Sequence, residues 1–236
     1  MRQGLQAIKP MMELVGLSMD RLIVHKHVYA EEVYLPMEGG CQDPVYNTWQ
    51  ILHMRKLFMQ LVGVSDVVPK HRKPVMLLLK RSSRSKHTRN GNDLVRQWND
   101  DFTERLLTHL QETFPSYNVV LYSDRNETMM RCYACQIRAF AAADVLVGAH
   151  GAGLGNMIYM KPNSAVVELA PYGNDGRCLL GGGPFSRAAA VLAHNYMMHQ
   201  PPYEEFKWIT KDASSEFNIT RFVVHVHSFL KSIAFI

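Results

Sequence analysis

Residues 144–169 confine the fold more than any other stretch. Asp144 leads an apolar run, Val145 to Val147, and a turn follows with glycines at 148, 151, 153 and 155. A short helix through Ile158 and Met160 is expected next, stopped by Lys161-Pro162-Asn163. A second apolar run, Ala165-Val-Val-Glu-Leu169, carries one carboxylate near its C-terminal end. A strand that feeds a helix through glycines brings backbone N–H groups close to a ligand and aims the helix N-terminus at it. That geometry suits phosphate.

The same strand–helix alternation extends from 75 to 195. Val75-Met-Leu-Leu-Leu79 is continuously apolar, as a parallel strand covered on both faces must be. A basic loop runs from Lys80 to Asn92, and Asn92 is the expected N-cap of a helix striped by Leu94, Trp98, Phe102, Leu106 and Leu110. Asn118 to Tyr122 is the next strand. Asp124 and Glu127 then stand at capping-box spacing ahead of a helix expected to run to about Ala143. Gly181-Gly-Gly-Pro184 places a proline at the start of a helix through Leu192. Upstream, Ile51, Met54, Phe58 and Leu61 mark a helix within 46–62, with Arg55 and Lys56 on its solvent side. The final segment, Phe222 to Ile236, is apolar without a decisive period.

This pattern predicts an α/β fold: a parallel sheet with helices on both faces and right-handed crossovers. Ligands in such sheets sit beyond the C-terminal ends of the strands. Three stretches therefore gather at one edge: the basic loop after Leu79, the glycine turn after Val147, and Glu168. The expected organisation is a partial N-terminal region (1–68), a Rossmann-like binding domain (69–200) and a C-terminal tail (201–236).

Charge gives the edge a sign. Between Lys70 and Arg89 lie eight Lys or Arg residues and no Asp or Glu, and the whole chain carries +5. An anionic ligand fits, and arginine's planar fork suits phosphate oxygens. A solvated basic face and a nucleic-acid contact are the rival readings of the loop. The second lacks interleaved aromatics and any helix-turn-helix or zinc-finger pattern, so no nucleic acid is expected. No apolar run reaches the roughly 18 residues of a membrane helix, and the N-terminus lacks a signal peptide's apolar core. Cys132-Tyr-Ala-Cys135 has redox or half-zinc spacing, but no second pair completes a metal site. The favoured reading is two small residues packing on one helix face. Asn126-Glu-Thr128 and Asn218-Ile-Thr220 are glycosylation sequons.

The turn itself admits three readings. It is a diphosphate cradle, a dinucleotide fingerprint with Glu168 on a ribose, or merely a tight strand–helix junction. The spacing is not G-x-G-x-x-G, and Glu168 comes sooner than the usual distance of about 20 residues, which counts against a nicotinamide enzyme. His150 has little core to belong to, and either hydrogen bonding to a phosphate or sugar hydroxyl or general-base duty suits it. Glu168 either accepts from a sugar hydroxyl or partners a local helix N-terminus.

Val147-Gly-Ala-His-Gly-Ala-Gly-Leu-Gly-Asn-Met-Ile-Tyr-Met-Lys-Pro162, followed by the Glu168 strand, resembles the signature block of glycosyltransferase family 61. That family includes plant xylan xylosyl- and arabinosyltransferases and protein O-linked N-acetylglucosaminyltransferases of the endoplasmic reticulum. Leu78-Leu-Lys-Arg81, with Arg84, Arg89 and Asn92-Asp93, resembles its arginine-bearing strand end and Asn-Glu pair. Gln136, Ala142 and Asp144 also match. Asp93 stands where the family commonly has Glu, and Gly155 where it usually has Thr.

The resemblance implies a two-domain GT-B fold, here with an abbreviated N-terminal region, whose Rossmann-type C-terminal domain binds a UDP-sugar. It further implies inverting, metal-independent transfer of N-acetylglucosamine, xylose or arabinose to a protein or glycan hydroxyl, with no cofactor besides the donor. The binding set so implied is Arg81, Arg84, Arg89, Asn92, His150, Gly151, Ala152, Gly153, Leu154, Asn156 and Glu168. His150 is the catalytic candidate, with His25, His27 and Glu31 as further candidates for the base. Relatives are membrane-anchored and act in the Golgi or endoplasmic reticulum lumen. The alternatives are an NAD-type oxidoreductase and a non-catalytic anion- or nucleic-acid-binding domain.

Overall fold

The computed structural model describes residues 9–18, 48–65, 72–80, 98–170, 184–202, 205 and 217–236. Five parallel strands form one sheet: β1 (Val75–Lys80), β2 (Asn118–Ser123), β3 (Val145–Ala149), β4 (Ala165–Leu169) and β5 (Asn195–His199). Their order is β2-β1-β3-β4-β5. The chain thus winds outward from β1 to β2, then reverses and continues through β3, β4 and β5. An open parallel sheet of this order has its topological switch between β1 and β3.

Alternation along β1 explains both layers. Met76 and Leu78 face one core, with α2 (Asp100–Thr113) and α6 (Ile219–Ser232), while Leu77 and Leu79 face the other. The second core holds α1 (Thr48–Leu61), α4 (Tyr133–Ala141), α5 (Pro184–Val191) and a 3₁₀ segment, Ala152–Tyr159. A strand covered on both faces has no place for a polar side chain except at its end, and β1 is apolar until Lys80. The C-terminal segment left open by its sequence is helix α6. Its buried residues Phe222, Val223, Val226 and Leu230 recur at helical spacing and pack on the α2 side.

Several local expectations need correction. Helix α2 is capped by Asn99, whose side chain accepts from the Phe102 N–H at 2.6 Å. Asn92 lies outside the described residues. Trp98 therefore precedes the helix, yet it stays in the core through an edge-on contact with Phe102. The helix expected to run unbroken to about Ala143 is two: α3 (Glu127–Arg131), capped by Asn126, and α4, capped by Cys132. Cys132 and Cys135 are joined in a disulfide rather than packed as separate thiols. On α1 the buried stripe is rotated from the expected one. Phe58, Met59 and Val62 are buried, while Met54 and Leu61 are exposed. Arg55 turns inward, because its guanidinium donates to the Met160 carbonyl (3.1 Å) at the end of the 3₁₀ segment. A helix-end carbonyl that needs a donor accounts for a cation on the packed face.

Asp144 ties the opposite edge of the sheet together. One carboxylate oxygen accepts from the Val75 N–H (2.7 Å) and pairs with Arg72 (2.8 Å), and the other pairs with Lys161. It thereby joins the entrance of β1, the entrance of β3 and the segment before β4. Asp144→Asn would leave two partly buried cations without their counter-charge. Unfolding in urea is expected to show a loss of about 2 kcal/mol, below the range for a fully buried pair because Arg72 and Lys161 are partly solvated.

At the far end of β5, His199 is packed against Phe222 and Phe217, with its Nδ1 3.2 Å from Nδ1 of His225. Burial above all, with the neighbouring His225 and Arg221, holds its pKa at about 4, and Glu205 acts in the opposite sense. Burial likewise lowers His194 below its ordinary 6.5. A histidine whose folded pKa is depressed favours the neutral folded state. Its stabilisation is complete above about pH 6.5 and is lost as pH falls towards 4. Thermal melts across that interval should show Tm falling with pH, and the decline should be smaller in His199→Leu.

Candidate functional site

A cavity of about 210 Å3 opens at the switch between β1 and β3. Leu79 and Lys80 enter it from β1, and Tyr122 and Asp124 from the end of β2. Met130 and Gln136 come from the paired helices α3 and α4. Ala149, His150, Gly151, Gly153 and Asn156 come from the end of β3 and its turn. Among the described residues, each contribution comes from the C-terminal side of a strand or from the helices that follow it.

Two glycines shape the turn for different reasons. Gly148 stands opposite Leu79 of β1: a Cβ there would lie 2.9 Å from Leu79 Cβ, an atom fixed to the backbone of the neighbouring strand. Gly151 adopts φ 152°, a conformation that side chains disfavour. It starts the 3₁₀ segment, whose first internal bond runs from the Leu154 N–H to the Gly151 carbonyl (2.9 Å). The Ala152 and Gly153 N–H groups precede that ladder, at the N-terminal end where a helical segment offers donors to an anion. Gly155, by contrast, is exposed and meets open space. Gly148→Ala is expected to cost about 1–3 kcal/mol by overpacking against a strand. Gly155→Thr should leave urea stability within about 0.5 kcal/mol, as an open surface position does.

The cavity's described cation is Lys80, and the sequence reading of the arginines passed over it. It is only 7% exposed and pairs with Asp100, which also binds Arg125 at 3.1 Å. Hydrogen bonds accepted from Lys80 and then from Arg125 hold the Asp100 carboxyl below the usual range, and the pairing fixes the position of the Lys80 side chain. Tyr122 was also passed over. Its hydroxyl is buried without a hydrogen-bond partner among the described residues, and burial pushes its pKa up to about 12. The signals were present: both residues sit at the last or penultimate position of a strand on the binding edge.

Of the expected site residues, the fold gathers His150, Gly151, Gly153 and Asn156 at the cavity. Leu154 is fully buried in the core beside Leu79 and Gly148, and Ala152 is described by its backbone alone. Glu168 lies behind His150 rather than on the cavity wall. It is 1% exposed, Oε1 is 2.5 Å from His150 Nδ1, and Oε2 accepts from the Tyr196 hydroxyl. Arg81, Arg84, Arg89 and Asn92 lie outside the described residues, as do His25, His27 and Glu31. Among the described residues, no helix is long and apolar enough to cross a membrane.

The arrangement can bind an anion between a cation and two backbone donors, beside an imidazole whose other nitrogen is already engaged. The family model described as Glycosyltransferase 61 matches residues 5–167. No curated protein matches the chain significantly.

Proposed function

This chain belongs to glycosyltransferase family 61, and we propose that its switch-point cavity holds the diphosphate of a UDP-sugar whose sugar is passed to a protein or glycan hydroxyl. One observation carries the reading: the cavity coincides with the β1/β3 switch, with the glycine turn on one wall and Lys80 on the other. The Ala152 and Gly153 N–H groups and Lys80 stabilise the negative charge that builds on the departing diphosphate. Arg81, Arg84 and Arg89, which follow β1 in the sequence, are assigned to the same stabilisation. Fixed donors of this kind lower a barrier because they need no reorganisation as charge develops. Each charge-assisted contact contributes roughly 1.5–3 kcal/mol.

The transfer is a single displacement with inversion that needs no metal ion. The acceptor oxygen attacks the anomeric carbon, and the bond to the diphosphate breaks with its electron pair. The donor is a UDP-linked N-acetylglucosamine, xylose or arabinose. The sheet is the nucleotide-sugar half of a GT-B pair, and the acceptor is met from the N-terminal side. The Cys132–Cys135 disulfide supports an oxidising compartment, the lumen of the endoplasmic reticulum or Golgi. The dinucleotide alternative is disfavoured by Glu168. An acidic residue that serves a ribose must reach the ligand, and both Glu168 oxygens are spent on His150 and Tyr196.

Calorimetric titration of the whole chain with UDP, UDP-sugars, NAD and a short oligonucleotide, in EDTA, tests this reading. UDP binding that survives the chelator is expected, weakened about tenfold or more in Lys80→Gln, the loss of one charge-assisted contact. NAD binding with UDP silent would overturn the transferase reading, and so would salt-sensitive oligonucleotide binding alone.

A further inference from the structure

Two residues fix the His150 ring without touching the cavity. Glu168 stands in β4 opposite Gly148 of β3, on the same sheet face as buried Val166. Tyr196 stands in β5 opposite Val166, one pleat back from Glu168, and packs against that same core. The register therefore lines up Tyr196, Glu168 and His150 across three neighbouring chain segments. The Tyr196 hydroxyl donates to Glu168 Oε2, and Glu168 Oε1 lies 2.5 Å from His150 Nδ1. Phe185 meets the imidazole edge-on, with ring centroids 5.1 Å apart, and so limits its rotation.

The chemistry of the three groups sets the protons. An ionised carboxylate offers acceptors alone. Glu168 therefore takes one proton from Tyr196 and requires another on His150 Nδ1. In a neutral ring that leaves Nε2 with its lone pair, as the nitrogen available to the cavity His150 lines. Tyr196 remains a donor, since burial and then the Glu168 carboxylate push its pKa upward. A buried carboxylate with both oxygens engaged by neighbours is costly unless it is fully satisfied, and this one is satisfied only while His150 keeps its Nδ1 proton. The tautomer is thus tied to the packing of β4 and β5 rather than to solvent.

We propose that Tyr196, Glu168 and His150 form a relay that holds the His150 Nε2 lone pair towards the cavity, where it takes the proton of the attacking acceptor hydroxyl. This rests on the transferase reading above. As the acceptor oxygen forms its bond to the anomeric carbon and the diphosphate leaves with the electron pair, the hydroxyl proton passes to Nε2. The resulting imidazolium is held through Nδ1–H by the Glu168 carboxylate, and Nε2 later returns its proton to water. His150 is then a catalytic residue, while Glu168 and Tyr196 are positioning residues.

The test uses the whole chain labelled with ¹⁵N-histidine. Long-range ¹H–¹⁵N spectra, with the His150 signal identified by its loss in His150→Gln, report which ring nitrogen carries the proton. The wild type is expected to show Nδ1–H with bare Nε2. Glu168→Gln presents an amide donor to Nδ1 and should shift the proton to Nε2. Its kcat should fall at least about 100-fold, the scale of general-base catalysis, with donor KM and UDP affinity within about twofold. Tyr196→Phe removes one support of Glu168 and should lower kcat several-fold, which keeps the test alive if Glu168→Gln fails to fold. Nε2–H in the wild type overturns the relay, and so does full kcat in a folded Glu168→Gln. A chain that fails to bind UDP but shows Nδ1–H overturns the transferase reading while leaving the tautomer assignment standing.

Discussion

Burial of β1 on both faces is the constraint on which the rest of the architecture depends. With β2 on one side, β3 on the other and a core above and below, the strand admits no charged side chain before its last residue. Lys80 is consequently delivered to the C-terminal end of the strand, where it lines the cavity. The reversal of winding at β1 then leaves a crevice beyond the ends of β1 and β3. Gly148 belongs to the same constraint, since β3 lies so close that even a methyl group would collide with Leu79. The cavity follows from packing the strands this tightly around a reversal of direction.

The features written at the period of a strand or helix were legible in the sequence. Four of the five strands read as apolar or half-apolar runs, and α2 follows from its stripe of Phe102, Leu106 and Leu110, whereas β5, whose Asn195-Tyr-Met-Met-His199 has no sustained apolar run, was not legible as a strand. Features that depend on a single side chain finding a distant partner were not legible. Arg55 looked like a solvent-facing residue because nothing local reveals a carbonyl 105 positions away that needs a donor. The Cys132–Cys135 pair looked helical throughout. Its helix breaks at Cys132, whose sulfur accepts from the Cys135 N–H and so acts as the cap.

The site shows the same division. Position along a strand put His150 and the glycine turn at the C-terminal edge of the sheet, and there they line the cavity. The direction of Glu168 could not be read, because it depends on the register that sets Tyr196 one pleat back on β5. A carboxylate at the end of a strand looks much the same in sequence whether it serves a ligand or the histidine in front of it. What separates the two cases is whether neighbouring chains occupy both of its oxygens, and here they do.

The capping asparagines carry a consequence of their own. Asn126 and Asn218, each the first residue of a sequon, are exposed and cap their helices through Oδ1, which accepts from the N–H of Met129 and of Arg221 respectively. A glycan would be attached through the amide nitrogen, and the carbonyl oxygen is left intact by that bond. The two helix starts are therefore compatible with a sugar at the capping residue itself: the side-chain atom that organises the backbone is not the atom that would be modified. Attachment would add bulk outside α3 and α6 without removing the hydrogen bond on which either helix begins.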